Sequence, residues 1–181
     1  MHTNRSTVPT TDPAGELPPV SFAEALAASG GLPDGLGAGL FLALTTLVRP
    51  WELVSAAKVE GGFLHLPEIP CGARRSVPLG YFARCVVGDG PVSLLAALCV
   101  RPGAEVDFLA RLQHEVHRVL DASLEQLWAS AIEAVAGAAG SAPERDAVFA
   151  YAGVGPGDGG SGLLGAVPAL IDDRVRAAGF E

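Results

Sequence analysis

The stretch LARLQHEVHRVLDASLEQLW, residues 109–128, carries the strongest structural signal in this sequence. Apolar residues recur there at the spacing of one helix face: Leu109, Leu112, Val116, Leu120, Leu127 and Ala131. A Pro-Gly pair and two acidic residues precede the stretch, and Gly137 and Gly140 follow it, as at the two ends of a helix. The pattern predicts one long helix over about residues 104–139, with its apolar stripe against a neighbouring layer.

The same stretch contains HEVH, which raises the question of a metal site. His114, His117 and Asp121 would share one side of a helix, and two imidazoles with a carboxylate suit a transition metal. The zinc-protease signature, however, is His-Glu-x-x-His, and HEVH is one residue shorter. The sequence therefore favours a solvated face without a metal, on which His117 pairs with Asp121 and His114 stays in solvent.

Short β-rich runs precede the predicted long helix. Runs cut by Gly, Pro and Asp predict strands near residues 62–66, 75–79, 80–87 and 92–100, with Gly88-Asp89-Gly90 as a hairpin turn between the last two. Before them, SFAE at 21–24 is a capping box that opens a short helix, and residues 36–48 predict a buried helix. The expected fold is α+β: a small, mainly antiparallel sheet covered by one long helix, with short N-terminal helices and a C-terminal helix.

The chain divides into three predicted parts. Residues 1–19 are rich in Thr, Pro and Asp and predict a disordered tail. Residues 20–152 form the α+β domain, and residues 153–181 a Gly-rich loop and the C-terminal helix. The loop contains GPGDGG at 155–160, which matches G-x-G-x-x-G but lacks the second strand and acidic residue of a dinucleotide fold and the Lys of a P-loop. We interpret it as a flexible loop.

Composition narrows the functional classes. The 181 residues carry a net charge of −8, which argues against a nucleic-acid groove or an anionic membrane surface. Three cysteines, Cys71, Cys85 and Cys99, lack paired spacing and predict cytosolic, mostly buried thiols. The apolar run at 36–48 is too short to span a bilayer. We expect a cytoplasmic protein that binds neither nucleic acid nor membrane. Its apolar helix and sheet edge predict a homodimer or a partner protein.

Arginines are the candidate ligand-binding residues. Arg74, Arg75 and Arg84, on the predicted sheet, suit a carboxylate-rich ligand through bidentate pairs. The alternative is that they discourage edge-to-edge strand pairing. Catalytic residues are not predicted, since the sequence has no G-x-S-x-G and no cysteine in a catalytic context.

The order of elements resembles a known family. The runs GGFLHLPEIP, RRSVPLGYFARCVV and GPVSLLAAL, followed by FLARLQHEVHRVLDASLEQLWASAIEA, resemble the N-terminal region of the NRPS-independent siderophore synthetases, the IucA/IucC family, over residues 51–139. The resemblance implies kinship with enzymes that use ATP and magnesium to adenylate a carboxylate of citrate or a related acid and join it to an amine or hydroxyl.

The family's Lys-x-Arg-x-Gly-Phe segment is echoed only loosely at the C-terminus, by Arg174, Arg176, Gly179 and Phe180, and its preceding His-Pro is absent. The chain is also far shorter than a synthetase. The resemblance thus implies an accessory or remnant N-terminal domain, not catalytically competent alone, with ATP and magnesium as cofactors only if the family activity is retained. The alternative is a small ligand-binding or protein-interaction module of a bacterial biosynthetic pathway.

Overall fold

The computed structural model describes residues 20–33, 35–55, 57–67, 75–88, 90, 92–154 and 161–181. The predicted tail, Cys71, Arg74 and the loop at 155–160 lie outside these residues. The elements, in chain order, are α1 (Phe22–Ser29), α2 (Leu36–Thr46), α3 (Pro50–Leu53), β1 (Lys58–Glu60), β2 (Phe63–Leu66), β3 (Arg75–Pro78), α4 (Tyr81–Val87), β4 (Val92–Ser93), α5 (Leu94–Ala97), α6 (Glu105–Leu120), α7 (Leu124–Ala136), α8 (Ala142–Tyr151), α9 (Ser161–Leu164) and α10 (Val167–Ala177).

The sheet is small and antiparallel, which confirms the predicted α+β class. Its strands lie in the order β3-β2-β1-β4, and Leu64 is opposite both Val59 and Val77 in the register. These three side chains are buried, whereas Lys58 and Glu60 beside Val59 are exposed, so β1 alternates as a half-buried strand should.

Two of the predicted strands are wrong. Residues 81–87 form helix α4, and of 92–100 only Val92–Ser93 is a strand, followed by helix α5. The Asp172 carboxylate of α10 accepts hydrogen bonds from the first two amides of α4, so a distant residue stabilises the helix against the strand preference of its valines. The predicted hairpin turn therefore does not join two strands, and its Asp89 lies outside the described residues.

The prediction of a single long helix is also wrong, because the helix is interrupted between α6 and α7. Asp121 takes a left-handed conformation with φ 50° and ends α6. Ser123 then opens α7 with a capping box: its hydroxyl accepts from the Gln126 amide at 3.1 Å, and its own amide donates to the Gln126 side chain at 2.7 Å. Both helices pack on α1 and α2, but α7 also packs on α8 and α10.

Helix α2 lies at the centre of the fold, as its apolar sequence predicts. It packs against α1, α4, α6, α7 and α10. A Cβ at Gly39 would lie 2.8 Å from the Phe108 ring, so α6 approaches α2 as closely as a glycine allows. The apolar surface of this helix, from which a homodimer or a partner protein was predicted, is covered by other helices of the same chain. The helix therefore no longer supports that prediction, which is not tested otherwise.

The predicted C-terminal helix is present as α10, with Pro168 in its first turn. Gly179, at φ 94°, turns the chain back after it, and the Phe180 ring centroid lies 5.8 Å from that of Phe41 in α2. Throughout the described part of the chain, each helix falls short of the length and apolarity needed to cross a membrane.

Candidate functional site

A cavity of about 570 Å³ lies between the end of α5, the start of α2 and the first two turns of α6. We call it the α5–α6 pocket. Its apolar lining is Leu36, Leu98, Val100, Ala104, Phe108 and Ala110, and its polar lining is Cys99, Arg101, Asp107 and Arg111. A volume in this range and a lining of apolar walls with a few polar groups also occur at small-molecule sites.

The connection between α5 and α6 shapes this pocket. Cys99 takes a left-handed conformation with φ 56°, and the Val100 amide donates to the Leu95 carbonyl at 2.8 Å, so the chain reverses at the end of α5. Leu98 is buried by this reversal, whereas Cys99 and Arg101 are exposed. The reversal thus puts an apolar wall and polar groups on the same cavity.

The turn into α6 is held by Glu105. Its carboxylate accepts a hydrogen bond from the Gly103 amide at 3.0 Å, and this bond, with a second from its own amide, lowers the pKa of Glu105. Asp107 and Arg111 follow one helical turn apart on the pocket side of α6.

The pocket's arginines are free to bind an anion. Among the described residues, neither the Arg101 nor the Arg111 guanidinium forms an ion pair or a hydrogen bond. Both are exposed at the pocket. The pocket lining therefore carries two guanidinium groups and one carboxylate, that of Asp107.

Arg75, a predicted ligand-binding residue, is instead engaged inside the fold. Its Nη2 donates to Glu52 Oε2 at 2.7 Å and its Nη1 donates to the Tyr151 carbonyl at 2.7 Å. Glu52 is only 5% exposed and also accepts from the Arg49 amide at 3.0 Å. Arg75 therefore joins α3, β3 and α8 and neutralises a buried carboxylate.

Tyr151 completes this cluster as a neutral donor. Its hydroxyl donates to the Pro78 carbonyl of β3 at 2.6 Å. Burial raises the pKa of Tyr151 far above its ordinary value, and the nearby Arg75 offsets this only in part. The raised pKa favours the protonated phenol, which is the form that donates this hydrogen bond.

The other predicted arginines lie on helices packed against one another. Arg84 is exposed on α4, which is a helix and not the predicted strand. On α10, Arg174 is half-buried, with a buried Nε that has no partner among the described residues. Arg176 pairs with Asp173 at 3.0 Å and lies 5.6 Å from the centre of the Phe82 ring. They do not join Arg75 in one site.

A second, shallower groove has a volume of about 510 Å³. It runs between the α1–α2 turn, α4 and the C-terminus, and Phe41, Phe82, Val86 and Phe180 are among its apolar walls. Cys85 is exposed at this groove, as Cys99 is at the α5–α6 pocket. The prediction of mostly buried cysteines is therefore wrong for these two.

The HEVH histidines lie on the solvent side of α6. His117 Nδ1 is 3.5 Å from Asp121 Oδ1, both side chains are about two-thirds exposed, and His114 is exposed, so the predicted pairing is confirmed. Arg118 pairs with Glu115, and His65, on β2, hydrogen-bonds with the Ser76 hydroxyl at 2.8 Å. Within the described ranges, no three His, Cys, Asp or Glu residues are grouped so as to hold a metal ion.

Sequence reasoning missed Arg101, Asp107, Arg111 and Cys99. The one available signal was the Asp107–Arg111 spacing of four residues after Pro-Gly, which indicates a charged pair on a helix start. Assigning residues 92–100 to a strand hid the chain reversal that builds the pocket.

Comparison with protein families, curated proteins and solved structures finds no match for this chain.

Proposed function

We propose that this chain is a small cytoplasmic ligand-binding module whose α5–α6 pocket binds a carboxylate-bearing small molecule. The observation that carries the proposal is that two arginines at one cavity with apolar walls, Arg101 and Arg111, have no ion-pair or hydrogen-bond partner among the described residues. A guanidinium matches a carboxylate with two parallel hydrogen bonds. The apolar part of the ligand would rest on Ala104 and Ala110, the accessible part of the apolar lining, beside Phe108.

The test compares 3-phenylpropionate with its amide, which has the same shape and no charge. Binding is measured by calorimetry and saturation-transfer NMR in low-salt buffer, because exposed charge pairs are screened by salt. We expect the acid to bind at least tenfold more tightly than the amide, since hydrogen bonds to charged groups contribute about 1.5–3 kcal/mol. Inorganic phosphate is titrated separately, to show whether any anion suffices.

A matched pair of variants locates the site. Arg111→Gln should weaken binding of the acid about tenfold, whereas Arg145→Gln, at an exposed arginine of α8 outside the pocket, should leave it unchanged. Equal binding of acid and amide, or equal binding by the two variants, would contradict the proposal.

A second proposal follows from the siderophore-synthetase resemblance. We propose an accessory or remnant domain of that type, inactive alone, and a homodimer or partner-bound state. The accessory-domain proposal is supported by the order of elements, since a small antiparallel sheet precedes the helices at 105–136. It is also supported by a pocket suited to an organic acid such as citrate.

Two observations test this second proposal. Adjacent reading frames that encode the remainder of a synthetase would favour it, as would binding of citrate that depends on Arg101 and Arg111. The chain alone should release no pyrophosphate from ATP and magnesium with citrate. Light scattering reports the oligomeric state. Failure of citrate to bind while 3-phenylpropionate binds would reject the kinship and leave the pocket proposal standing.

A further inference from the structure

The α5–α6 pocket holds a negative group as well as its two arginines. Asp107 and Arg111 both line the cavity and are four residues apart on α6. A carboxylate and a guanidinium at this spacing normally form an ion pair across one helical turn. Here the two side chains are not within ion-pair distance, and Arg111 has no other acidic partner among the described residues.

Separated charges of opposite sign at one cavity are complementary to a ligand that carries both. Arg101 and Arg111 would bind a carboxylate, and Asp107 would accept hydrogen bonds from a cationic donor on the same molecule. The remaining lining is apolar, with the Leu36, Leu98 and Phe108 side chains buried in the wall.

We propose, resting on the function proposed above, that the ligand is a zwitterionic α-amino acid with an apolar side chain. Its carboxylate binds Arg101 and Arg111, and its ammonium group binds Asp107. Its side chain packs on Ala104 and Ala110, the accessible part of the apolar lining, beside Phe108. A ligand with only a carboxylate leaves Asp107 unpaired next to its own negative charge. A ligand with only an ammonium group leaves the arginines unpaired.

Four probes with the same phenyl group separate these contributions. Phenylalanine carries both charges, 3-phenyllactate a carboxylate and a hydroxyl, 3-phenylpropionate a carboxylate alone, and phenethylamine an ammonium alone. We expect affinity to fall in that order, with phenylalanine about tenfold tighter than 3-phenylpropionate. Titrations use the full chain in low-salt buffer near neutral pH.

The discriminating variant is Asp107→Asn, which keeps the size of the side chain and removes its charge. It should abolish the advantage of phenylalanine over 3-phenylpropionate while leaving the latter bound as tightly or more tightly. Asp146→Asn, at an exposed aspartate of α8 away from the pocket, is the control and should change neither affinity. Urea unfolding of each variant checks that the fold is retained.

The outcomes distinguish the two proposals. If phenylalanine and 3-phenylpropionate bind equally to the native chain, or if Asp107→Asn preserves the difference between them, the zwitterion inference is wrong and the carboxylate site stands. If none of the carboxylate probes binds, the proposed function fails and this inference with it.

Discussion

Asp172 offers the sharpest test of how this fold is held together. It lies in α10, yet its carboxylate accepts the Tyr81 amide at 2.7 Å and the Phe82 amide at 3.3 Å, so it caps a helix 90 residues earlier in the chain. Gly80, the N-cap residue of α4, has no side chain with which to accept hydrogen bonds from the first amides of the helix. Asp172 is 7% exposed, so water cannot easily replace it.

Replacing Asp172 with alanine should lower the free energy of unfolding by about 2–3 kcal/mol. Loss of a helix cap costs about 1 kcal/mol, and a buried amide left without a partner costs about 1–3 kcal/mol, near the lower end here because the Phe82 bond is long. For a domain of this size the melting temperature should fall by roughly 4–12 °C. Asp172→Asn keeps an acceptor oxygen and should cost about 1 kcal/mol, the charge contribution alone.

The assay is urea unfolding, in which the midpoint shifts at constant slope if only stability has changed. Asp173→Ala is the matched control, since the neighbouring Asp173 is 73% exposed and pairs only with Arg176. That control should cost less than about 1 kcal/mol. If both alanine variants unfold at the same urea concentration, Asp172 is not the cap that stabilises α4 and the reasoning is refuted.

Four further predictions concern other contacts. Arg75→Met should cost about 3 kcal/mol in urea unfolding, because it leaves the Glu52 carboxylate buried without its cation; a cost no larger than that of Arg145→Met would contradict this. Gly37→Ala should lower the free energy of unfolding by about 1–3 kcal/mol despite the better helix propensity of alanine, since the new Cβ would overlap the Ser29 carbonyl. The control Gly90→Ala has open space around the new Cβ and should leave the free energy of unfolding unchanged. Hydrogen bonds from the Ser21 hydroxyl and amide hold the pKa of Glu24 below its ordinary value of 4.5. The ionised carboxylate therefore stabilises the folded state above that pH, and this stabilisation is lost as pH falls through the lowered pKa. Melting temperatures of Glu24→Gln, which retains the capping box, should equal those of the native chain in acid and differ from them above about pH 5. A His114→Ala, His117→Ala double variant should lose less than about 1 kcal/mol, and stoichiometric zinc in the untagged native protein would show instead that these histidines bind a metal.

Features specified by neighbouring residues were predictable from the sequence. The capping box at Ser21 is present, with the Glu24 carboxylate accepting the Ser21 amide at 2.9 Å. Helix α2 is buried as its apolar sequence requires, and β2 and β3 pair where short runs cut by Gly, Pro and Asp predicted strands. In each case the signal lies in one short continuous segment of sequence, so the prediction needed no distant contact.

Helix α4 could not be predicted in this way, because its cap comes from Asp172. Residues 80–87 contain Tyr, Phe and two valines, which favour a strand when considered alone. The packing of α10 on α4 and the two hydrogen bonds that the α4 amides donate to Asp172 outweigh that preference. The placement of Arg84 on a strand was wrong for the same reason.

The break between α6 and α7 had a local signal that the apolar spacing concealed. Ser-Leu-Glu-Gln at 123–126 is a capping box, equivalent to the one that correctly predicted α1. Leu120 and Leu127 are seven residues apart, so the apolar period continues across the break and predicts an uninterrupted helix. Where a capping box occurs within a continuous apolar period, a new helix should be predicted to begin at the box. The box supplies hydrogen-bond partners for amides that lack them only at the start of a helix.

This break also decides what the HEVH segment can do. A helical metal site requires its ligands on consecutive turns of one helix, but α6 ends at Leu120 and Asp121 is in a left-handed conformation. The Asp121 carboxylate therefore sits at the helix end, within 3.5 Å of His117 but without a helical relation to His114. His117 lies in the last turn of α6, where the unpaired carbonyls favour a cation. The contact between His117 and Asp121 therefore lies at the C-terminal end of α6, in agreement with the predicted pairing of these two side chains.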